Sequence, residues 1–202
     1  VSPATVKTVS SGSALTGVKQ PVADLAVAHV AIVAAAGAAG PQLYIVDLKD
    51  AQTVAVETVD LVRRHGKLTL NATPAEALGT ASDYQDWLDR AAVILAYEAI
   101  GTAGAAMPMT VDYAKTRVAF GQKIGRYQAV KHKCADMYIK LELARAHALH
   151  GLAMIGTNGA ELRQVAAAAR VASLDALAYC AEENVQLHGG IGFTWESDCQ
   201  FY

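Results

Sequence analysis

Three cysteines are too few to staple a chain of 202 residues, and no two of them have metal-ligand spacing. Cys134, Cys180 and Cys199 therefore read as reduced thiols of a cytoplasmic protein, behaving as small hydrophobes. Aromatic residues are scarce, 13 in all, and proline is absent after Pro108. Neither sign of charge dominates, with 17 Lys and Arg against 19 Asp and Glu. The longest basic stretch without an acid runs only from Lys115 to Lys133, which excludes the broad basic stripe of a nucleic-acid binder. The uncharged run between Asp24 and Asp47 is cut by Gly37, Gly40 and Pro41, so it is expected to form two buried strands rather than a membrane span. The start resembles no signal peptide, and the first residue is Val1. HExxH, paired ExxH, CxxC and GxxxxGK[ST] are all missing, which removes the usual supports for zinc hydrolysis, di-iron chemistry and nucleotide hydrolysis.

What the chain has is apolar mass. Hydrophobic residues make up 53% and alanine alone numbers 41, a composition suited to closely packed helices. The pattern changes near residue 80. Before it, four prolines punctuate Val- and Thr-rich runs at Thr5 to Val9, Val27 to Val33, Leu43 to Val46, Thr53 to Val59 and Lys67 to Leu70, which predict strands. After it, apolar residues recur at three- and four-residue spacing. A capping box at Ser82 and Gln85 predicts a helix to about Thr116, kinked at Pro108. A second helix is expected from Tyr127 to Ile155, with Met137, Leu141, Ala144, Ala148 and Leu152 near one face. A turn at Gly156 to Gly159 leads to a third from Glu161 to Leu187, stopped by Gly189, Gly190 and Gly192. The expected class is α+β: a small barrel- or sandwich-like β-domain over 1–79, then a helical bundle over 80–202 that wants a fourth helix from beyond Tyr202 or from a partner chain.

Two corners of that bundle carry chemistry. The first runs from Arg117 through Phe120, Gly121, Ile124, Tyr127, Gln128 and Val130. A guanidinium suits a pyrophosphate, a ring suits a ring, and glycine opens backbone amides, so this corner can hold a phosphorylated aromatic ligand. A plain interhelical loop with a surface arginine reads equally well. The second corner, Gln186 to Glu196, holds Gly189 and Gly190; its spacing fails as a dinucleotide fingerprint but suits a helix stop with exposed backbone. His147 and His150 lie one turn apart without a matching carboxylate, so no metal site is expected.

Taken together, Arg117, Phe120-Gly121, Tyr127-Gln128, Ala135-Asp136-Met137 and Gln186-x-x-Gly189-Gly190-x-Gly192 resemble the acyl-CoA dehydrogenases, flavoproteins that oxidise an acyl-CoA thioester to its α,β-enoyl form. The resemblance extends over nearly the whole chain, with Leu15-Thr16-Gly17 to Gly79 similar to most of the family's central β-domain. It implies FAD as cofactor. Arg117 would meet its pyrophosphate, Phe120 and Gln128 its adenosine part, and Gln186 with Gly189 and Gly190 the same group; Gly121, Ile124, Tyr127 and Val130 complete that corner. These contacts cross a dimer interface in the family, so a homo- or hetero-oligomer, a dimer or tetramer, is implied. So are an acyl-CoA substrate and an electron-transfer partner.

Departures from the family pattern matter as much. Neither its N-terminal helical domain nor its flavin-contacting Thr and Ser strand appears within these 202 residues. The reaction needs a carboxylate to take the α-proton. One family position for it falls on Ala91, and the other lies past Tyr202. Asp89 and Arg90 match a stretch that shapes the acyl-CoA site, which makes Asp89 a substrate-binding candidate, with a capped helix start as the plainer reading. Glu98, about 10 Å further along the helix, is read as structural, and Glu196 and Asp198 as surface charges. The Thr194-Trp195-Glu196 continuation resembles bacterial members, some from steroid catabolism, in which one subunit supplies the base and another completes the flavin site. The catalytic residue is thus unknown, and two alternatives stay open: a catalytically silent subunit of a heteromer, and a helical module without flavin.

Overall fold

The computed structural model describes residues 6–37, 40–60, 63–157 and 160–202. The protein is α+β, and it divides into two compact units, Val1–Trp87 and Leu88–Tyr202.

The first unit is a seven-stranded mixed sheet of β1 (Val9–Ser11), β2 (Ala14–Ala23), β3 (Val30–Gly37), β4 (Gly40–Asp47), β5 (Gln52–Val56), β6 (His65–Pro74) and β7 (Glu76–Leu78), in the order β5-β6-β2-β1-β3-β4-β7. Among the described residues, only the β1–β3 pairing is parallel. The uncharged run forms the β3–β4 hairpin in register from Val30↔Asp47 to Gly37↔Gly40. Its strands are not buried throughout: Val33 and Ala35 face the core while Val30 and Ile32 are half exposed, the alternation of a sheet covered on one face. Val27 lies in the preceding turn, whose N–H bonds the Asp24 carbonyl, so the strand begins three residues later than the apolar run. Strand β2 escapes sequence reading because Gly17, Lys19, Gln20 and Pro21 interrupt it; tertiary pairing with β6 supplies what local propensity lacks. Edge strand β7 was also not expected. Thr5 lies outside the described residues, and the first strand starts only at Val9. The core joins Leu15, Leu25, Val33, Tyr44, Val46, Leu48, Leu68 and Leu70.

Three long helices follow: α1 (Ala81–Thr116), α2 (Gln128–Met154) and α3 (Ala160–His188). The cap of α1 differs from the expected Ser82–Gln85 box. The Asp83 carboxylate accepts from the Thr80 backbone N–H at 2.6 Å and from its hydroxyl at 2.7 Å, while the Asp83 N–H donates to the Thr80 carbonyl. A Thr-x-x-Asp closure thus holds the first turn two residues earlier. The helix continues through Pro108 as one element. It contains a stretch long and apolar enough to cross a membrane by composition alone, and Ala96, Ile100, Ala103 and Ala106 of that helix are bundle core.

Met137, Leu141, Ala144 and Ala148 line the buried face of α2 as expected, against Ala169, Ala176 and Cys180 of α3. Leu152 does not join them. It is exposed, and Gly151 takes the inward place because a Cβ there would stand 3.0 Å from Val93 Cγ2. Of the α2–α3 turn, positions 158–159 fall outside the described residues.

Candidate functional site

The first corner is a miniature hairpin. After α1 ends, β8 (Val118–Ala119) pairs with β9 (Gln122–Lys123), and the two-residue turn between them is Phe120-Gly121. Both turn residues have positive φ, 50° and 80°, which is the type I′ geometry that matches strand twist. Glycine adopts it freely, but for phenylalanine the left-handed region is costly. The result is a ring almost wholly in solvent, 95% exposed, on a turn buttressed from behind by the Tyr127 hydroxyl, which donates to Ala119 O at 3.1 Å. Such strain persists only where the surrounding structure over-determines it. Arg117 is exposed at the base of this hairpin; its N–H caps back to Tyr113 O and its carbonyl accepts from Ile124 N–H at 2.9 Å. Ile124, Val130 and Tyr127 are half-buried, while Gln128 is exposed in the first turn of α2. Gly125 lets the segment press on α1, since a Cβ there would meet Ala114 O at 2.8 Å.

The second corner begins where Gly189 takes a φ of 64° and stops α3. Space beyond Gly189 and Gly190 is open, with nothing within 4 Å of an added Cβ, so a ligand can reach their backbone. Gly192, by contrast, is buried against Val185 O. Gln186 is exposed and lines an open depression of about 480 Å³ together with Phe193 and Tyr202.

Contacts that sequence reading missed bring the two corners to one end of the bundle. Tyr113, four residues before Arg117, stacks on His188, the neighbour of Gly189, with ring centroids 4.1 Å apart and 27° between planes. Fully buried Asn184 accepts from the Thr110 hydroxyl at 2.9 Å, and its amide points at Met109 Sδ at 3.5 Å. Leaving such a carboxamide unpaired costs about 1–3 kcal/mol. The Asn184 carbonyl faces His188 Nδ1 at 2.7 Å; a carbonyl only accepts, so Nδ1 carries the proton. Lys133 of α2 pairs with Glu183 of α3, whose other oxygen is buried without a hydrogen bond. Beside this pair, burial and then the Glu183 charge push the Cys134 thiol up, and burial pushes Cys180 to about 11. Both shifts disfavour the reactive thiolate. A signal for this platform existed in the sequence: Thr110 and Tyr113 share a face of α1 that leads to Arg117 just past its end, and Asn184 and His188 share a face of α3.

Asp89 and Ala91 lie elsewhere. They precede Arg117 on α1 by 28 and 26 residues, on the order of 40 Å along a straight helix. Asp89 is buried and meets Arg163 Nε of α3 at 3.4 Å, and Arg90 donates to the Ile155 carbonyl after α2. Both charges thus tie helices together at that end. Ala91 is half-buried and Glu98 exposed. Among the described residues, no three His, Cys, Asp or Glu side chains form a metal-holding group.

A bundle with these corners defines a class of protein. Residues 82–202 match the family described as acyl-CoA dehydrogenase, C-terminal domain. The chain is 40% identical over 145 residues to acyl-CoA dehydrogenase IpdE2 of Mycolicibacterium smegmatis, covering 72% of this chain and 43% of that protein. It is 47% identical over 117 residues to acyl-CoA dehydrogenase IpdE2 of Mycobacterium tuberculosis, covering 56% and 34%. In structure it resembles a variant of the steroid ACAD Tcur3481-Tcur3483, with a TM-score of 0.88, 32% identity, and coverage of 96% of this chain and 54% of that one. The ChsE4-ChsE5 complex of Mycobacterium tuberculosis gives 0.83, 25%, and coverage of 98% and 55%.

The chain belongs to the acyl-CoA dehydrogenase family. It spans less than half the length of these two curated relatives and about half that of these solved chains.

Proposed function

We propose that this chain is part of an FAD-dependent acyl-CoA dehydrogenase acting on the α,β-bond of an acyl-CoA, with the bundle corners serving the cofactor. The observation that carries the reading is the strained, solvent-facing Phe120 beside exposed Arg117 at the same bundle end as the open Gly189-Gly190 backbone. These groups suit a flat, anionic dinucleotide: guanidinium for pyrophosphate, ring and carboxamides of Gln128 and Gln186 for the adenosine part, and open amides for polar edges. Gly121, Ile124 and Tyr127 hold the hairpin that presents them, and half-buried Val130 follows in the first turn of α2. When bound, FAD supplies the acceptor for the hydride leaving the β-carbon.

The α-proton needs a carboxylate, and Ala91 offers none. Cofactor corners and the Ala91–Asp89 region lie at opposite ends of the bundle, which favours corners that complete a neighbouring subunit's site and hence a homo- or hetero-oligomer. Asp89, held by Arg163, would then shape the acyl-CoA end rather than carry charge to the reaction. The likeness to the steroid ACAD Tcur3481-Tcur3483 and to the ChsE4-ChsE5 complex supports a heteromer, the first also a bulky, steroid-type acyl group; the family reading adds a cytoplasmic setting and an electron-transfer partner that takes the reducing equivalents. A catalytically silent subunit is the second reading, and Ala91 favours it.

Titrating the full chain, alone and with a co-encoded family partner, with FAD and following flavin fluorescence tests the proposal. Binding is expected, and Arg117→Gln is expected to weaken it by tenfold or more. A protein that takes up no FAD in either setting overturns it. Turnover by the chain alone removes the silent reading.

A further inference from the structure

We propose that Asn184, with Thr110 and the Tyr113–His188 stack, is a positioning node that sets the axial register of the glycine corner against the Arg117 corner. This rests on the reading of both corners as one cofactor site. Around it, the bundle core is mostly alanine: Ala96, Ala103, Ala106, Ala144, Ala148 and Ala169 present small side chains, so register rests on directional polar ties, and Arg163 to Asp89 and Arg170 to the Leu95 carbonyl hold only the far half of α1 against α3 through long side chains. Asn184 is different in kind. It is fully buried, and its polar atoms are committed in fixed directions across helices. The Thr110 hydroxyl has one proton and two acceptors at 2.9 Å, Asn184 Oδ1 and Ala106 O. Within a helix the Ala106 carbonyl already receives the Thr110 N–H, so donation to Asn184 leaves no buried acceptor wanting. A single buried, directional polar pair in an apolar interface is how helices specify register.

The node sits where register matters. Gln186 follows Asn184 by two residues and Gly189 follows His188 directly, while Arg117 stands one turn beyond Tyr113, whose carbonyl takes its N–H at 2.8 Å. A slip of α3 past α1 therefore displaces one half of the cradle from the other without exposing core. Asn184 touches none of the proposed ligand groups itself, which makes it a positioning residue rather than a binding one.

The test uses the full chain, with its partner if FAD uptake requires one, and the variants Asn184→Leu and Thr110→Val. Each removes the bond while filling its space. Amide hydrogen exchange over 117–124 and 186–193, read without flavin, is expected to speed up by at least tenfold in both segments while the melting temperature stays within a few degrees. The FAD dissociation constant is expected to rise at least tenfold, with a changed visible flavin spectrum. The double variant is expected to be no worse than either single one, because both delete the same interaction. Unchanged exchange in both variants overturns the node whatever the flavin does, as does an unchanged FAD affinity and spectrum in a protein that binds FAD. If exchange rises as expected but the unaltered protein binds no FAD, the node stands as a register device and the cofactor reading alone falls. Should Asn184→Leu not fold, Thr110→Val decides by the same readouts.

Discussion

The two units of this protein bury their cores with opposite materials. In the sheet, eight of nine core residues are larger than alanine, with Leu15, Leu68, Leu70 and Tyr44 filling space between strands. In the bundle, seven of eleven are alanine, and only Ile100, Met137, Leu141 and Cys180 add bulk. Large side chains on a pleated surface give stability through buried area and fill, so their loss leaves voids. Small side chains let helices approach closely and have almost nothing to lose by truncation, but no room to grow. The lesson is that one chain has two modes of failure, cavity in the sheet and overpacking in the bundle.

Several substitutions can break that contrast. Leu68→Ala, at a site 1% exposed, is expected to destabilise by about 2–5 kcal/mol in denaturant unfolding. A loss well under 1 kcal/mol would show that the sheet relaxes around holes. Ala144→Leu, at a fully buried bundle site, is expected to cost about 1–3 kcal/mol; a neutral or stabilising result would mean the bundle has slack after all. Ile100→Val, in the alanine-rich bundle core, is expected to cost about 0.5–1.5 kcal/mol in the same assay. The smallest effect belongs to the junction at the start of α1. Hydrogen bonds from the Thr80 hydroxyl and then its backbone N–H hold the Asp83 carboxyl below the usual carboxylate range. A depressed folded value means the stabilisation is present above the unfolded value, near 3.9, and is lost as pH falls through the folded one. Helix exchange at 81–84 is therefore expected to rise on acidification, and Asp83→Asn is expected to abolish that acid dependence. Acid-independent exchange in the unaltered chain would show the carboxylate does not hold the turn.

Thiol labelling sharpens the picture of the bundle interior. Cys180, with its thiol raised to about 11 and fully buried, is expected to resist alkylation at neutral pH in the folded state and to react on unfolding. Fast native labelling would mean the alanine seam opens readily.

The helices were legible almost to the residue, because apolar spacing and the stops at Gly189 and Pro-free length act locally. The cap was misread by two positions, since Thr80 and Ser82 both precede an acceptor at a workable distance and only geometry chooses between them. Strands β2 and β7 were invisible: β2 carries Gly17, Lys19 and Pro21, residues that argue against a strand until β6 lies beside it. Of the candidate site, the residues from Arg117 to Val130 and from Gln186 to Gly190 stood out through their resemblance to the family's motifs, composition alone leaving a plain interhelical loop equally open. Their meeting did not, because Tyr113 and His188 are 75 residues apart in the chain.

The amino-acid order alone determined the α+β division, the three long helices and the family, since periodicity, glycine stops and two motif corners are properties of short windows. Only the tertiary structure decided that both corners share one end of the bundle, that Asp89 is held by Arg163 at the other, and that Phe120 stands strained in solvent. Those facts depend on side chains brought together across dozens of residues, where packing and buried hydrogen bonds, rather than local propensity, select the arrangement.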